Sequence, residues 1–540
     1  MTAEWTILAV NIIASVAGLL CAFYSKRDPH KSLSAQAPWL LGSMLAPLFF
    51  LLIMSSHTWL LQGGDEYSRV DYGHRWMMDP FFAPEDHIWP SGHFWMLGIA
   101  DWFFGSAQHA VTATSTMGFL AMALSAFFLG KVLWRSNRAG FFAAVLTATH
   151  YVSFWIGTNP MAEVFALPAM LGGMALWVAF WDDDRFDSVH RELKLLWAAA
   201  LISFGCCFRY ELWYLGIVLG AFMGFRMLFL VWRRQFDRAA VNAAGCATLL
   251  IFPLAWMISC KLALGSYIAF ATTGTELNQA TNLFYDLSSP LARFLLYPKS
   301  LFHDHWFILP IVTTGGLIMW IQARRRASVA FLAALFVLLL VSMLVTMKTG
   351  IGSNSPPRYT MFIVILLLSV AAGAFTPIWG MTKSKSRSLF YALAIGLLLY
   401  GATENMVVAR RDYSHDWATH PATIAMLARL EREGDGNRYA YHDRRIQQPG
   451  FPLIVDCHDG NPTLLWEVRY YSQSPADVSW IQSIPHMQST FATARSGSQI
   501  LLRKPHPPSL VITHAELVLE MEGFEVWRQL PLKPAASTAQ

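Results

Sequence analysis

Two adjacent carboxylates, Asp65 and Glu66, follow a pair of glycines just after a long apolar run that ends at Leu61. Charged side chains at the mouth of a membrane helix cost stability unless they face water or a partner, so the pair is a candidate active site. One carboxylate would accept the proton of a hydroxyl nucleophile while its neighbour helps to hold a substrate. The alternative is a pair of solvated acids that cap the next helix, where the helix dipole favours negative charge.

Charged residues interrupt apolar sequence again at Glu163 and at Arg209-Tyr210-Glu211. Glu163 follows a turn of a few residues, so it is either a supporting acid or a residue that caps the following helix. Arg209 and Glu211 are costly to bury alone, so they either pair with each other or contact a charged ligand. A guanidinium suits a phosphate because its planar fork binds two oxygens at once.

A third cationic segment is Arg358-Tyr359, which follows two prolines and has Lys348 ten residues before Arg358. Arg358 and Lys348 would bind a phosphate or, alternatively, extend to lipid headgroups. His303-Asp304-His305 is predicted at a similar depth in the membrane and could bind a metal. Residues two apart do not share a helical face, however, so these three residues are a weak candidate for a metal site. The sequence therefore predicts no metal and no cofactor, and binding of a divalent metal is the alternative.

The composition indicates a polytopic membrane protein, since 55% of the 540 residues are hydrophobic and 14% are charged. The formal net charge of +5 is spread over short loops, which indicates membrane topology and no nucleic-acid partner. Apolar runs of about the length that crosses a bilayer recur down to residue 408 and predict about twelve transmembrane helices. The runs lie near 5–24, 38–61, 110–133, 139–157, 162–181, 195–208, 212–231, 240–260, 304–321, 328–346, 359–380 and 388–408.

Lysine and arginine concentrate in every second loop, from Lys26 and Arg27 to Lys383 and Lys385, which predicts that these loops face the cytoplasm. The candidate residues then all lie on the outer face. The first outer loop, 62–109, contains aromatic and charged stretches at 67–78 and 93–104 that are typical of interfacial helices, with a folded cap as the alternative. The transmembrane domain ends at 408, a small soluble α/β domain follows at 409–532, and 533–540 has a disordered composition. Within the soluble domain the patterns predict an amphipathic helix at 424–433 and strands near 452–455, 464–471, 510–513 and 524–530.

These motifs resemble those of the glycosyltransferase C superfamily, which includes protein O-mannosyltransferases and the bacterial enzyme that puts aminoarabinose on lipid A. The resemblance rests on Asp65-Glu66 at the start of a long outer loop, on Trp89-Pro90 further along it, and on Glu163 in the next outer turn. Arg209-Tyr210-Glu211 and Arg358-Tyr359 are similar to patterns of bacterial members. The resemblance covers roughly residues 35–408.

The resemblance implies an all-α membrane bundle of glycosyltransferase C type and a polyprenyl-phosphate sugar as the donor. Asp65 is then the base or the carboxylate that positions the acceptor, and Glu66 and Glu163 are supporting acids. The donor phosphate would be bound by Arg209, Arg358, Tyr359 and Lys348, with Tyr210 and Glu211 in support. The acceptor would be a hydroxyl of a lipid-linked glycan, an envelope polysaccharide or a protein. The expected location is the bacterial inner membrane, with the active site and the C-terminal domain on the periplasmic side.

Two alternatives from other functional classes remain at this point. A transporter or flippase for a lipid-linked saccharide would line its path with the same acids. It would also place charged residues near the middle of several helices. A catalytically silent scaffold would tolerate the loss of Asp65, Glu163 and Arg209 together.

Overall fold

The computed structural model describes residues 33–55, 64–84, 87, 89–105, 107–159, 161–183, 188–272, 289–321, 326–349, 356–375, 453–456, 478–481, 499–503, 515–521 and 524–530. The described residues fall into two compact units. The first unit contains residues from 33–55, 81–93 and 112–375. The second contains 64–80, 94–111 and the strands that begin at residue 453.

Helices dominate the described residues as far as residue 375. In chain order they are α1 Leu33–Ser55, α2 Gly64–Met78, α3 Gly92–Phe104, α4 Ala107–Trp134, α5 Asn137–Thr149, α6 Tyr151–Thr158, α7 Glu163–Trp181, α8 Val189–Cys206, α9 Glu211–Trp232, α10 Phe236–Leu264, α11 Pro290–Phe294, α12 Leu296–Asp304, α13 Leu309–Ile321, α14 Arg326–Thr349 and α15 Pro356–Ala371. Short 3-10 turns at Trp306–Ile308 and Ala372–Phe375 precede α13 and follow α15.

Six segments in the described part of the chain are long and apolar enough to cross a membrane: His109–Trp134, Glu163–Trp181, Glu211–Trp232, Phe236–Leu264, Ala327–Lys348 and Arg358–Phe375. They confirm the helices predicted near 110–133, 162–181, 212–231, 240–260, 328–346 and 359–380. The predicted spans at 5–24 and 388–408 lie outside the described residues, so the total of about twelve stays a prediction.

Three predicted spans differ from the helices that form. The run 139–157 is divided between α5 and α6 because the backbone of His150 is extended, with φ −69° and ψ 130°. The run 195–208 belongs to a longer helix that begins at Val189, since Glu192 and Lys194 have partners that let them enter a helix. The run 304–321 becomes a helix only at Leu309, after the 3-10 turn.

Helices α7 and α15 lie at the centre of the first unit. In the most apolar 18-residue stretch of each helix, 83% is buried for α7 and 89% for α15. The buried share of the corresponding stretch is only 28% for α9 and 28% for α10. The exposed side chains of α9 are apolar and include Ile217 and Phe225, which suits a surface that faces lipid. The residues at the start of α7 and α15 are therefore held by the best-packed part of the fold.

Small residues allow the central helices to approach closely. A Cβ atom added at Gly173 of α7 would meet the side chain of Ile202 in α8, and one at Gly118 of α4 would meet the carbonyl oxygen of Val164. Interfaces of this kind are typical of membrane helices, where close van der Waals packing drives association.

A cluster around Glu192 joins one end of α8 to α9 and α10. The buried Glu192 carboxylate accepts hydrogen bonds from Arg226 Nε at 2.7 Å, from Arg238 Nη2 at 2.8 Å and from Asn242 Nδ2 at 2.9 Å. Burial works to raise the pKa of Glu192, but the bonds from the two arginines and Asn242 outweigh it and lower the pKa below its ordinary value. Glu192 therefore stays charged and ties three helices together.

The second unit contains α2 and most of α3. Gly73 packs against Leu97, and His74 Nδ1 lies 2.8 Å from the buried Asp101 Oδ2. The predictions of helices at 67–78 and 93–104 are confirmed, and Trp102 and Phe103 are exposed on α3 as an interfacial helix requires. Contact with lipid itself stays a prediction.

The described C-terminal residues form one five-stranded mixed sheet. Its strands are β1 Leu453–Asp456, β2 Val478–Ile481, β3 Gln499–Arg503, β4 Ala515–Met521 and β5 Phe524–Gln529, in the order β2-β1-β3-β5-β4. β1 pairs in parallel with β2 and β3, whereas β5 pairs antiparallel with β3 and β4. The predicted strands near 452–455 and 524–530 are confirmed. The predicted helix 424–433 and the predicted strands at 464–471 and 510–513 lie outside the described residues.

We expect Glu192→Gln to lower the free energy of unfolding by about 3 kcal/mol, because it leaves the buried Arg238 and the half-buried Arg226 without their counter-ion. Thermal unfolding of the purified protein in detergent measures this. The control is Asp182→Asn, which removes the partner of the exposed Arg135 and should cost about 1 kcal/mol or less. Equal losses for the two variants would contradict the role of the Glu192 cluster.

Candidate functional site

Glu163 lies in the first turn of α7, and its side chain is completely buried. The positive end of the helix dipole favours a carboxylate at this position. Burial of a charge demands more than the dipole supplies, since an unpaired buried carboxylate costs several kcal/mol. Capping alone is therefore not a sufficient explanation of Glu163.

Two arginines from distant parts of the chain supply the compensating charge. Arg358 Nε donates to Glu163 Oε1 at 2.5 Å, and Arg209 Nη1 lies 3.1 Å from the same oxygen. Arg358 is in the first turn of α15, and Arg209 is in the connection between α8 and α9. Both arginines are buried. Glu163 thus joins three segments of the first unit at one point.

Arg209 is held by a second carboxylate as well. Its Nε donates to Glu211 Oε2 at 3.0 Å and its Nη2 donates to Glu211 Oε1 at 2.5 Å, which is the two-point geometry of a strong ion pair. Burial works to lower the pKa of Arg209, but Glu163 and Glu211 outweigh it and raise the pKa above its ordinary value. The pairing of Arg209 with Glu211, one of the two alternatives that the sequence left open, is present, and it fixes the plane of the guanidinium.

Aromatic rings lie against both guanidiniums. The Cζ atom of Arg209 is 5.1 Å from the centre of the Tyr359 ring, and that of Arg358 is 5.8 Å from the Trp155 ring. Cations over aromatic faces at these distances are attracted by the ring quadrupole. We call Glu163, Arg209, Glu211, Arg358 and Tyr359 the arginine cluster. Its two carboxylates balance its two guanidiniums.

Two residues predicted to bind or support the donor phosphate have other surroundings. Tyr210 stacks on Phe270, with ring centres 4.6 Å apart, and its hydroxyl lies 3.5 Å from the carbonyl oxygen of His87. Tyr210 therefore anchors the loop before α3. Lys348 is exposed in the last turn of α14, and the described contacts of the arginine cluster do not include it.

Asp65 and Glu66 lie in the first turn of α2, where the helix dipole favours negative charge. Their side chains are outside the described residues, so their roles stay predictions. Position 69 is one helical turn further on, on the same face as position 65. It holds Arg69, a buried arginine that the sequence did not single out.

The three residues of the weak predicted metal motif do not converge on one point. His303 is 76% exposed and its Nδ1 lies 2.7 Å from Asp304 Oδ1, whereas the buried His305 contacts His150 and Thr360. Within the part of the chain that the structure describes, no group of three or more His, Cys, Asp or Glu side chains is placed to hold a metal ion.

The site also uses residues that sequence reasoning missed. Trp155 lies against Arg358, and Gly92 N donates to the carbonyl oxygen of Cys207 at 2.7 Å, two residues before Arg209. An added Cβ at Gly92 would collide with that carbonyl group. A tryptophan in an apolar helix and a glycine at a helix start carry no sequence signal for these contacts, because each partner is far away along the chain.

Comparison with known proteins identifies distant relatives, although no protein-family model matches the chain. It is 22% identical over 326 residues to the undecaprenyl phosphate-alpha-4-amino-4-deoxy-L-arabinose arabinosyl transferase of Pseudomonas aeruginosa, over 56% of this chain and 54% of the relative. It is 24% identical over 211 residues to transferase 2 of Pseudomonas fluorescens, over 36% of this chain and 34% of the relative. The chain thus spans about half or less of the length of these curated relatives.

A solved structure matches nearly the whole chain. ArnT from Cupriavidus metallidurans, bound to undecaprenyl phosphate, superposes with a TM-score of 0.56 over 92% of this chain and 98% of that one, at 13% identity. Its apo form gives a TM-score of 0.53 over 89% and 97%, at 14% identity. The chain shares the overall fold of this transferase structure. The resemblance predicted from the sequence is confirmed, and the arginine cluster lies within the part of this fold that the first unit forms.

Glu163→Gln should lower the free energy of unfolding by about 3–5 kcal/mol, because two buried guanidiniums would share the single remaining carboxylate. Adding Arg358→Met to this variant removes the excess charge and should recover part of the loss. Unfolding temperatures in detergent provide the comparison. A Glu163→Gln variant as stable as the wild type would show that Glu163 does not hold these three segments together.

Proposed function

We propose that this protein is an integral membrane glycosyltransferase that uses a polyprenyl-phosphate-linked sugar as its donor. The observation that supports this most strongly is the pair of buried arginines, Arg209 and Arg358, assembled around Glu163 at the start of the central helices. The relatives add support, since they are named for undecaprenyl-phosphate aminoarabinose and the matching structure holds undecaprenyl phosphate.

In this proposal the arginine cluster binds the donor phosphate. A guanidinium fork donates two hydrogen bonds to phosphate oxygens, and a site built in advance does not have to reorganise when the ligand arrives. Glu163 and Glu211 keep the two guanidiniums charged and hold their planes. The contacts of Glu163 therefore favour a positioning role over that of a proton-transferring acid. Tyr359 lies against Arg209 and completes the binding surface, while Lys348 would attract the anionic lipid from the exposed end of α14.

The reaction needs one base and one leaving group. The hydroxyl oxygen of the acceptor bonds to the anomeric carbon while the bond from that carbon to the phosphate oxygen breaks, and the electron pair stays on the phosphate. The hydroxyl proton goes to the base, which we assign to Asp65, with Glu66 in support. The acceptor is a hydroxyl of a lipid-linked glycan, an envelope polysaccharide or a protein. Because of the names of the relatives, an aminopentose is the first donor sugar to test.

The alternation of basic loops supports an outer-face active site in a bacterial inner membrane, as the sequence predicts. The described charges of the arginine cluster lie at the starts of α7, α9 and α15. A transport path would instead place charges near the middle of several helices. This placement favours transfer at a membrane face over transport through the bilayer.

Asp65→Asn should abolish sugar transfer while the protein still folds, because an amide cannot accept the acceptor's proton. Membranes incubated with radiolabelled polyprenyl-phosphate sugars, with the product counted, measure the loss. Asp79→Asn changes an exposed carboxylate just after the same helix and should leave transfer unaffected. Full activity of the Asp65→Asn variant would remove Asp65 as the base.

Arg358→Lys should raise the KM for the donor about tenfold or more, because lysine keeps the charge but loses the two-point hydrogen bonding. Initial rates over a range of donor concentrations give KM and kcat separately. Arg135→Lys is the matched control, since Arg135 pairs with Asp182 in an exposed position away from the cluster. An unchanged donor KM would place the phosphate elsewhere.

A further inference from the structure

The segment before α3 is bonded through its backbone to the connection that carries Arg209. Gly92 is the first residue of α3, and its N–H donates to the carbonyl oxygen of Cys207 at 2.7 Å. Cys207 directly follows α8 and lies two residues before Arg209. The first N–H groups of a helix and the last carbonyl groups of a helix have no partner in their own helix, so this bond satisfies one group of each kind. Both ends of the bond belong to the first unit.

This bond requires a glycine at position 92. A Cβ atom added there would lie 2.6 Å from the carbonyl oxygen of Cys207 and 2.9 Å from both its carbonyl carbon and its Cβ atom. An ordinary contact between a carbon atom and a carbonyl oxygen is about 3.3 Å or longer. Alanine would therefore have to displace the backbone at Cys207 by about 0.7 Å. Arg209 is only two residues further on and would move with it.

Aromatic packing holds the same connection from a second side. Phe208, the residue before Arg209, is completely buried and stacks on Phe165 of α7, with ring centres 5.2 Å apart. The centre of the His93 ring, in the first turn of α3, lies 6.2 Å from that of Phe165. The start of α3 therefore packs against α7 and is bonded to the connection that carries Arg209.

The other end of the segment before α3 is attached to α10. Nε2 of the buried His87 lies 3.0 Å from Ser259 Oγ, and the His87 ring lies 5.5 Å from that of Trp256. The backbone of His87 has a φ of 50°, which residues other than glycine rarely adopt and which persists only where the surroundings hold it. Pro90 stiffens the residues between His87 and Gly92, because its ring fixes φ. Movement at His87 is therefore passed on to Gly92.

We propose that Gly92 positions Arg209 for the donor phosphate, an inference that rests on the proposed function. Glu163 and Glu211 hold the guanidinium of Arg209. The bond from Gly92 fixes the backbone two residues before Arg209, so both ends of that side chain are held. A guanidinium fixed in this way binds phosphate oxygens without first being ordered, which lowers the cost of binding. In this proposal Gly92 acts through Arg209 and makes no contact with the donor.

A glycine that only lets two helices pack closely provides the matched control. A Cβ atom added at Gly140 of α5 would lie 2.7 Å from the carbonyl oxygen of Phe127 in α4. Alanine at either glycine therefore collides with one backbone carbonyl group. The described contacts of the arginine cluster include neither Gly140 nor Phe127, so Gly140→Ala has the cost in packing without the effect on Arg209.

The first measurement is the donor KM of Gly92→Ala in the transfer assay. We expect KM to rise about tenfold or more while kcat stays within about threefold of the wild type, because a shift of less than 1 Å weakens the hydrogen bonds to the phosphate. Gly140→Ala should keep the donor KM of the wild type, although its unfolding temperature also falls. An unchanged KM in Gly92→Ala, a loss confined to kcat, or an equal rise of KM in Gly140→Ala would overturn the proposal.

Ser259→Ala decides the question if Gly92→Ala does not fold. It removes the hydroxyl group that contacts His87 and introduces no collision, so it loosens the segment at its other end. We expect the donor KM to rise about threefold or more. Ser259→Thr restores a hydroxyl group and should return KM towards that of the wild type. With Gly92→Ala unfolded, a wild-type KM in Ser259→Ala would overturn the proposal.

A second measurement uses no substrate and separates this inference from the proposed function. Unfolding temperatures in detergent of Gly92→Ala, Arg209→Met and the double variant form a double-mutant cycle. If Gly92 positions Arg209, part of the cost of Gly92→Ala comes from moving Arg209 away from Glu163 and Glu211. That part is absent once Arg209 has been replaced. The double variant should then lose less than the sum of the two single shifts.

The shifts of Gly140→Ala and Arg209→Met should add, because these two sites share no partner. Additive shifts for Gly92→Ala and Arg209→Met would overturn the positioning role of Gly92. If the wild-type protein transfers sugar from no polyprenyl-phosphate donor, the proposed function fails instead. The cycle then still shows whether Gly92 holds Arg209 in place.

Discussion

The packing of the first unit depends on the ion pairs that the buried Glu163 carboxylate makes with two arginines. The carboxylate accepts from Arg358, which lies 195 residues further along the chain, and it also holds Arg209 in the connection between α8 and α9. None of these groups is stable in the interior without the others, because an isolated buried charge costs several kcal/mol. The first turns of α7 and α15 and the α8–α9 connection are therefore positioned together or not at all. A binding site assembled in this way inherits the rigidity of the two most buried helices.

Ion pairs also hold the other end of α7 in place. Lys194 reaches Asp183 just after α7, and its neighbour Glu192 binds Arg226 and Arg238. The 19 residues of α7 span about 28 Å, close to the hydrocarbon thickness of a bilayer, so the two clusters belong at opposite membrane faces. They differ in their surroundings. Asn242 completes the shell of Glu192, whereas aromatic rings flank the arginine cluster and suit a ligand.

Much of this arrangement was predictable from residue type and position, since Glu163, Arg209, Glu211 and Arg358 all stood out as charges in apolar sequence. The sequence could not tell that one oxygen of Glu163 binds both arginines, because pairing over such separations depends on helix packing. The division of the predicted span 139–157 had the same origin. His150 breaks the helix and meets His305, 155 residues away, and no local pattern reports that contact. The spacing of His303 and His305 did indicate correctly that they would not share a face.

The balance of charge in the arginine cluster also bears on the turnover that the proposed function requires. With two carboxylates and two guanidiniums, the site carries no net charge between reactions, so no uncompensated charge is left buried when it is empty. In the proposed function a donor phosphate would compete with Glu163 and Glu211 for the same N–H groups, which would keep its binding reversible. After transfer the leaving phosphate has one more negative charge than the donor and would bind these arginines more tightly. Glu163 and Glu211 would compete with the leaving phosphate for the guanidiniums and so would favour its release. A site with two arginines and no carboxylates would lack this competition and would retain the product.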